Sequence, residues 1–337
     1  MGTVSTGITV VPYSPQWHSR LLDYMKTVYP SRDVRYLDWW LSNMDSGEEG
    51  DWQRCFIVLE GEEIIGCTTA IPIELVRDGR KTGFYLRGNT IISPDKRGRG
   101  VSKRLYDRVN SYDNWLSVGI TDIAWKIQPK YVNNFTPLRP INVYVALNGW
   151  IVTQIVRRLL KKDSRAVDWP GNIGLPHGES FVLINNINDL GFPEEVGWTT
   201  DNVELVRDGS YLQKRFFDIY CAEWYALYKY VKHEKTEGFA VLRRISYRGV
   251  EMVSVVDYRF RNREDERKAF RLAQKVARRN RIGLVFGMSS RKYRFFGCPF
   301  LIETPKKLNF ATGNKDIDFS DLLVTSADSD LDFVYYR

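Results

Sequence analysis

Apolar and polar positions change period several times along the chain, and each change marks an element. Ile8 to Pro12 reads as a short strand. Pro15 to Tyr29 carries Trp17, Leu21, Leu22 and Met25 at helical spacing, and Val34 to Met44 forms a second, aromatic-rich helix. Arg54 to Glu60 and Glu63 to Pro72 read as a hairpin around Gly61-Glu62. Ile73 to Arg77 and Lys81 to Leu86 continue as strand, turning at Asp78-Gly79. Phe84 to Ile92 is rich in aromatic and β-branched residues, so it too reads as strand. Val101, Leu105 and Val109 then set a helical period, and Trp115 to Thr121 returns to strand. Asp122 to Val132 is expected to be a helix cut short by Pro129. Leu138 to Leu147 follows as strand and Ile151 to Lys162 as a basic amphipathic helix.

Ser164 to Asp189 holds Pro170, Gly171, Gly174, Pro176 and Gly178, and reads as a long linker that Gly191 to Thr200 continues. Beyond it, Gly238 to Arg244 and Val250 to Phe260 read as strands, Glu264 to Asn280 as a helix and Ile282 to Met288 as a strand. The second half thus repeats the order of the first imperfectly. Three segments are expected: a domain over 1–163, a linker or lid over 164–200, and a second domain over 201–337.

At 337 residues the chain is long for one core and comfortable for two. Its 43% hydrophobic and 27% charged residues fit a globular protein. No apolar run reaches membrane-spanning length. The first residues lack a basic stretch before a long apolar core, so no signal peptide is expected, and the cytoplasm is the expected location. Cys55, Cys67, Cys221 and Cys298 are widely spaced, and the three histidines form no ligand pattern, so no metal is expected. The net charge of +8 fits a polyanion or a phosphorylated small molecule. The densest basic block, Arg259 to Arg281, also holds Glu264, Asp265 and Glu266, so it reads first as a solvated helix face, and no nucleic acid is expected as partner.

One stretch carries candidate chemistry. Between the strand ending at Ile92 and the helix starting at Val101 lies Ser93-Pro94-Asp95-Lys96-Arg97-Gly98-Arg99-Gly100. A helix start leaves backbone N–H groups unpaired, with the positive end of the dipole behind them. Gly98 and Gly100 carry no Cβ, so an anion can come close to the backbone. Lys96, Arg97 and Arg99 add positive charge. The pattern G-x-x-x-x-G-K-[ST] is missing, and the residue five after Gly98 is Lys103, so neither the P-loop nor the dinucleotide fingerprint applies.

Ile92-Ser93-Pro94 followed by Arg97-x-x-Gly100-x-Ser102 resembles the coenzyme-A loop of the GNAT acyltransferases, [RQ]-x-x-G-x-[GA] after a strand ending V-x-P, with Ser102 in the last small position. The resemblance implies an α/β fold with a mixed sheet, in which the fourth and fifth strands splay apart around the acyl pantetheine arm. It implies that Thr90, Ile91 and Ile92 offer backbone groups to that arm, and that Arg97, Gly98, Arg99, Gly100, Val101 and Ser102 take the pyrophosphate. It implies acyl-CoA as co-substrate, acetyl-CoA or a longer thioester such as hydroxybutyryl-CoA. For the chemistry, Asp122 is a candidate base or a helix N-cap, Tyr131 a candidate proton donor to the thiolate or a packing residue, and Asn89 a group that orients water or acceptor. Asp257 could face the acceptor or close a strand end. In the second half, Asp257 to Asn262 stands where the Gly-rich loop would be, so that half resembles a GNAT domain without a coenzyme-A site that helps form the acceptor site. The size and layout resemble bacterial GNAT-type N-acyltransferases of dTDP-linked amino sugars, which implies a nucleotide-linked amino sugar as acceptor and a role in surface polysaccharide (lipopolysaccharide) synthesis. Trp169, Trp198, Tyr211, Phe216, Phe217 and Trp224 are candidates to stack on it. The alternatives are a silent module of the same fold that binds a polyanion, and a transferase that uses aminoacyl-tRNA. The oligomeric state stays open.

Overall fold

The structure is a computed structural model, and it describes residues 7–30, 32–42, 55–77, 79–159, 167–191, 203–247, 249–293 and 301–328. By contacts the chain divides into two compact units. The first comprises Met1–Leu75, Thr82–Arg139 and Asn309–Ser320. The second comprises Val76–Lys81, Pro140–Leu308 and Asp321–Arg337. No described helix is long and apolar enough to cross a membrane.

The first unit runs β1 (Ile8–Pro12), α1 (His18–Val28), α2 (Val34–Ser42), β2 (Cys55–Glu60), β3 (Glu63–Arg77), β4 (Arg80–Ile92), α3 (Val101–Val109), β5 (Trp115–Ile120), α4 (Asp122–Tyr131) and β6 (Thr136–Pro137), except that the end of β3 from Val76 and the start of β4 to Lys81 fall in the second. Its strands lie in the order β1-β2-β3-β4-β5. β4 and β5 are parallel, and α3 is the crossover between them. Val101, Leu105, Tyr106 and Val109 of α3 close a core with Val58, Ile65, Trp115 and Ile120. Pro129 does not shorten α4. It removes one donor inside the helix, while the Val132 N–H still bonds to the Gln128 carbonyl at 2.8 Å.

The second unit runs β7 (Ile141–Leu147), α5 (Ile151–Leu159), β8 (Asn172–Gly174), β9 (Ser180–Ile184), β10 (Glu204–Leu205), α6 (Gly209–Leu212), β11 (Tyr225–Lys232), β12 (Lys235–Tyr247), β13 (Val250–Phe260), α7 (Arg267–Arg279), β14 (Leu284–Ser289) and β15 (Leu301–Thr312). Of β15, Leu301–Leu308 belongs to this unit and Asn309–Thr312 to the first. Strand β13 pairs in parallel with β14, and α7 is the crossover. The β11-β12-β13-α7-β14 run has the same order of elements as β2-β3-β4-α3-β5.

Two expectations change. The units divide at Arg139/Pro140 and not near residue 163, because β7 pairs along its length with β14, far ahead in sequence. Part of the expected linker is sheet. Ser180–Ile184 pairs antiparallel with β11, with Leu227 opposite Ile184, and buries Phe181 completely. The Pro and Gly residues around it hid a five-residue apolar strand.

Candidate functional site

Strands β4 and β5 pair only at Tyr85↔Trp115, Leu86↔Leu116 and Arg87↔Ser117. Both continue, to Ile92 and to Ile120, without further ladder between them. Each carries a backbone irregularity just past the last pair. Asn89 has φ 51° and Gly119 has φ 73°. Tyr85 and Ile92, seven residues apart, pack against the same core, which strict alternation forbids. A one-residue bulge at Asn89 restores the phase. At Gly119 the pairing with β15 skips a residue, since Asn309 opposes Ile120 and Phe310 opposes Val118. The sheet is thus built to open between β4 and β5.

Beyond the opening comes the basic loop. Gly98 has φ 80° and Gly100 φ 75°, the left-handed region that favours glycine, and a Cβ on either would meet nothing within 4 Å. Gly100 is the residue before α3, and no side chain caps the helix. The first N–H groups of the helix thus have no acceptor from its N-cap side chain. Arg97 donates from Nε to the Ile92 carbonyl at 3.3 Å, which fastens the loop to the end of β4. Arg99 and Lys96 both meet Glu60, the last residue of β2. Arg99 Nη2 lies 2.5 Å from Oε1, and Lys96 Nζ lies 2.9 Å from Oε2. The bonds from Arg99 and then Lys96 hold the Glu60 carboxyl down to about 2.

Under the opening lies a set of buried hydroxyls. Thr68 and Thr90 share a hydrogen bond at 2.7 Å, and the Tyr106 hydroxyl of α3 is bonded to Thr90 and to Gln128 of α4. Burial raises the Tyr106 phenol above its ordinary value, so it stays a proton donor.

Thr90, Ile91 and Ile92 therefore line the opening, with Asn89 at its bulge, and Arg97 to Ser102 form the loop beyond. The other two candidates are elsewhere. Asp122 is not the N-cap of α4: Thr121 accepts the Ala124 N–H at 3.3 Å, and Asp122 accepts from Asn309 Nδ2, also at 3.3 Å. Tyr131 stacks its ring on Tyr106 at 6.4 Å and 15°. Its side chain faces a shallow surface depression of about 410 Å³ shared with Lys103, Asp107, Asn110, Ser111, Lys130 and Asn133. In the second unit, Asp257 is fully buried and held by Arg207, Tyr211 and Thr325. Phe216 packs on Tyr211 and Tyr225, Trp169 on the core, and Trp224 on Tyr220. Trp198 lies outside the described residues.

Glu60 and Tyr106 escaped the sequence reading. Glu60 stands 39 residues from Arg99 and becomes its partner only through strand order. Tyr106 interrupts no apolar period, and its one visible signal is a hydroxyl on the core face of a helix.

The second unit's own β13–β14 opening is closed. Pairing stops at Val255↔Gly287, and past the bulge at Val256 the Tyr258 hydroxyl donates to Ser289 of β14 at 2.9 Å. Tyr258 occupies the position that Thr90 holds in the first unit. Asp257 to Phe260 are strand and not the counterpart of the Gly-rich loop; where the first unit has its glycines, the second has Asp265 and Glu266, buried at the start of α7 and paired with Lys268 and Arg291.

No protein-family model matches the sequence, and no curated protein does. Solved structures do match. A GCN5-related N-acetyltransferase from Anabaena variabilis aligns with TM-score 0.60 and 11% identity, over 91% of this chain and 73% of that one. Saccharomyces cerevisiae N-myristoyltransferase with bound myristoyl-CoA aligns with TM-score 0.53 and 9% identity, over 93% and 83%. A tandem GNAT protein from the clavulanic acid biosynthesis pathway aligns with TM-score 0.53 and 11% identity, over 91% and 98%. The fold is therefore that of the GNAT acyltransferases, a mixed α/β sheet, and the match extends to a tandem protein.

Proposed function

We propose that the chain is an acyl-CoA-dependent N-acyltransferase whose donor site lies in the first unit. The observation that carries this reading is the uncapped start of α3 behind two left-handed glycines, directly beyond the point where β4 and β5 stop pairing. In this reading the pyrophosphate sits on the N–H groups and cations of Arg97 to Ser102. The pantetheine arm takes the place of the missing ladder and bonds to the backbone of Asn89 to Ile92.

The reaction asks for a neutral amine to attack the thioester carbon. The carbonyl oxygen becomes an oxyanion, which backbone N–H groups at the bulge stabilise without reorganisation. Collapse breaks the C–S bond, the nitrogen gives up one proton to solvent, and the sulfur gains one from a donor that recovers its own from solvent. We assign that last proton to Tyr106 in place of Tyr131, because its hydroxyl is bonded to the β4 side of the opening and burial keeps it protonated. Holding both reactants in line supplies much of the rate.

For the acceptor we propose the amino group of a nucleotide-linked amino sugar. The support is the net charge of +8, which suits a pyrophosphate-linked molecule. Of the aromatics named for stacking, Phe216 is buried and Trp169, Tyr211 and Trp224 are half-buried against neighbours of their own unit, so they add little to it. The test is thermal melting with acetyl-CoA, free CoA and a longer acyl-CoA. A ligand at about a hundred times its dissociation constant stabilises by roughly 3 kcal/mol. A shift lost in Arg97→Glu supports the donor site, and no shift with any thioester rejects it. Screening nucleotide amino sugars for thiol release from the bound donor then tests the acceptor.

A further inference from the structure

The loop that is to hold a polyphosphate already holds an anion of its own. Glu60 ends β2 at the Gly61-Glu62 turn, and strand order sets it one strand away from the end of β4, across β3. Both of its oxygens are engaged: Arg99 grips them with a fork, 2.5 Å to Oε1 and 3.3 Å to Oε2, and Lys96 adds 2.9 Å to Oε2. Lys96 also stands 3.5 Å from Asp95 and 3.9 Å from Glu63. Lys103, one step further on, is paired with Asp107 at 2.8 Å. Arg97 is the one cation of the loop with no carboxylate within ion-pair distance among the described residues.

We propose that Glu60 is an internal counter-anion, which occupies Arg99 and Lys96 until a donor phosphate replaces it, and so sets how tightly the loop holds polyphosphates. The inference rests on the donor-site reading above. The exchange is physically easy. Arg99 is 47% exposed and is reached from solvent, while Glu60 at 12% is half-buried, and a ligand of several negative charges outcompetes one carboxylate for the same guanidinium fork. Glu60 also repels the ligand through a few ångströms of partly aqueous surroundings, and that repulsion grows with ligand charge and shrinks with salt. An Arg97 that starts without a carboxylate makes the first contact, and Arg99 and Lys96 follow as Glu60 lets go.

The experiment compares wild type, Glu60→Gln and Glu60→Ser by titration calorimetry with CoA, dephospho-CoA and inorganic tripolyphosphate, at low and at physiological salt. The two variants guard against one of them failing to fold, which circular dichroism checks. Removing the carboxylate is expected to tighten CoA about threefold to tenfold at low salt, dephospho-CoA by less, and both by less at higher salt. Unchanged or weaker CoA binding in the variants overturns the proposal, since Glu60 would then only pre-position the cations. A gain with tripolyphosphate but no binding of CoA by any form keeps the counter-anion and rejects the donor site. No gain with any of the three ligands rejects the counter-anion, whatever wild type binds.

Discussion

The guanidinium of Arg87 lies 4.4 Å from the ring centroid of Trp115, so the last paired residue of β4 rests its charge on an indole from β5. Arg87 Nη2 also donates to the carbonyl of Tyr112 at 3.0 Å and to that of Val109, at the end of α3. One side chain thus fastens the far end of α3 to the sheet, while Gly100 at the near end provides no side-chain cap.

Arg87 is 7% exposed, and its Nε and Nη1 find no hydrogen-bond partner among the described residues. Arg87→Ala opens a cavity and strips two carbonyls of their donor. A loss of about 2–4 kcal/mol is expected. Arg87→Met keeps most of the volume and removes a buried charge but strips the same two carbonyls, so it should cost about 1–2 kcal/mol, less than Arg87→Ala. Urea melts of the two variants decide. Equal losses would mean that the charge, and not the packing, holds α3.

Gly98 and Gly100 are in open space, so alanine there meets no neighbour and the cost is backbone strain alone. Each Gly→Ala change should destabilise by about 1–2 kcal/mol. It should also weaken CoA, because the loop relaxes away from the φ values that aim its N–H groups. A variant of unchanged stability and unchanged CoA affinity would show that the left-handed turns are incidental.

Much of this site is legible in the sequence itself, for a physical reason. Ile92-Ser93-Pro94, Arg97 and Gly100 encode a strand end, a charge and a left-handed turn within nine residues, and all of that is local. The repeat of strand, helix and strand in the second half is legible in the same way. What escapes depends on topology. The Glu60–Arg99 pair needs β3 placed between β2 and β4. The β9 strand needs β11 to pair with, and β11 itself does not stand out in the sequence pattern. Asp257, whose spacing places it at a strand end, is buried because Arg207 comes from 50 residues away to neutralise it.

The two units offer a natural contrast at one position. Thr90 leaves the first opening free, while Tyr258 bridges the second by its bond to Ser289. Thr90→Tyr should fill the first opening in the same manner and abolish the melting shift with acetyl-CoA. The reverse change, Tyr258→Thr, should confer no CoA binding on the second unit, because Asp265 and Glu266, paired with Lys268 and Arg291, still occupy its helix start in place of glycines. Acetyl-CoA binding retained in Thr90→Tyr would move the pantetheine arm out of the β4–β5 opening.

Tyr106→Phe keeps the ring and removes the hydroxyl bonded to Thr90 and Gln128. Acetyl-CoA should bind within about twofold of wild type, while thiol release falls by about a hundredfold or more. Above the pH at which the acceptor amine is neutral, the wild-type profile should stay flat up to the raised tyrosine value, and the variant should lose any fall beyond it. Tyr131→Phe should leave both quantities near wild type. Equal rate losses in the two variants would return the proton to Tyr131 or share it.

The second unit carries a pH dependence of its own. Asp328 and Asp257 share Arg207, with Asp328 at 2.5 Å from Nη2 and Asp257 at 2.9 Å from Nε. Thr325 bonds to both carboxylates, and Tyr211 faces Asp257. Burial, with the Asp257 charge added, raises the Asp328 carboxyl to about 6 against the pull of Arg207. The sign follows from linkage: a carboxyl raised on folding makes the folded state bind the extra proton. Its stabilising contribution is therefore complete below the ordinary value of 3.8 and is lost as pH rises through about 6. Asp328→Asn carries no titrating group, so its melting temperature relative to wild type should rise between pH 4.5 and pH 7, roughly the window this carboxyl spans. Parallel melting curves for the two proteins across that range would mean that Arg207 holds Asp328 ionised throughout, with the desolvation cost already met by the ion pair.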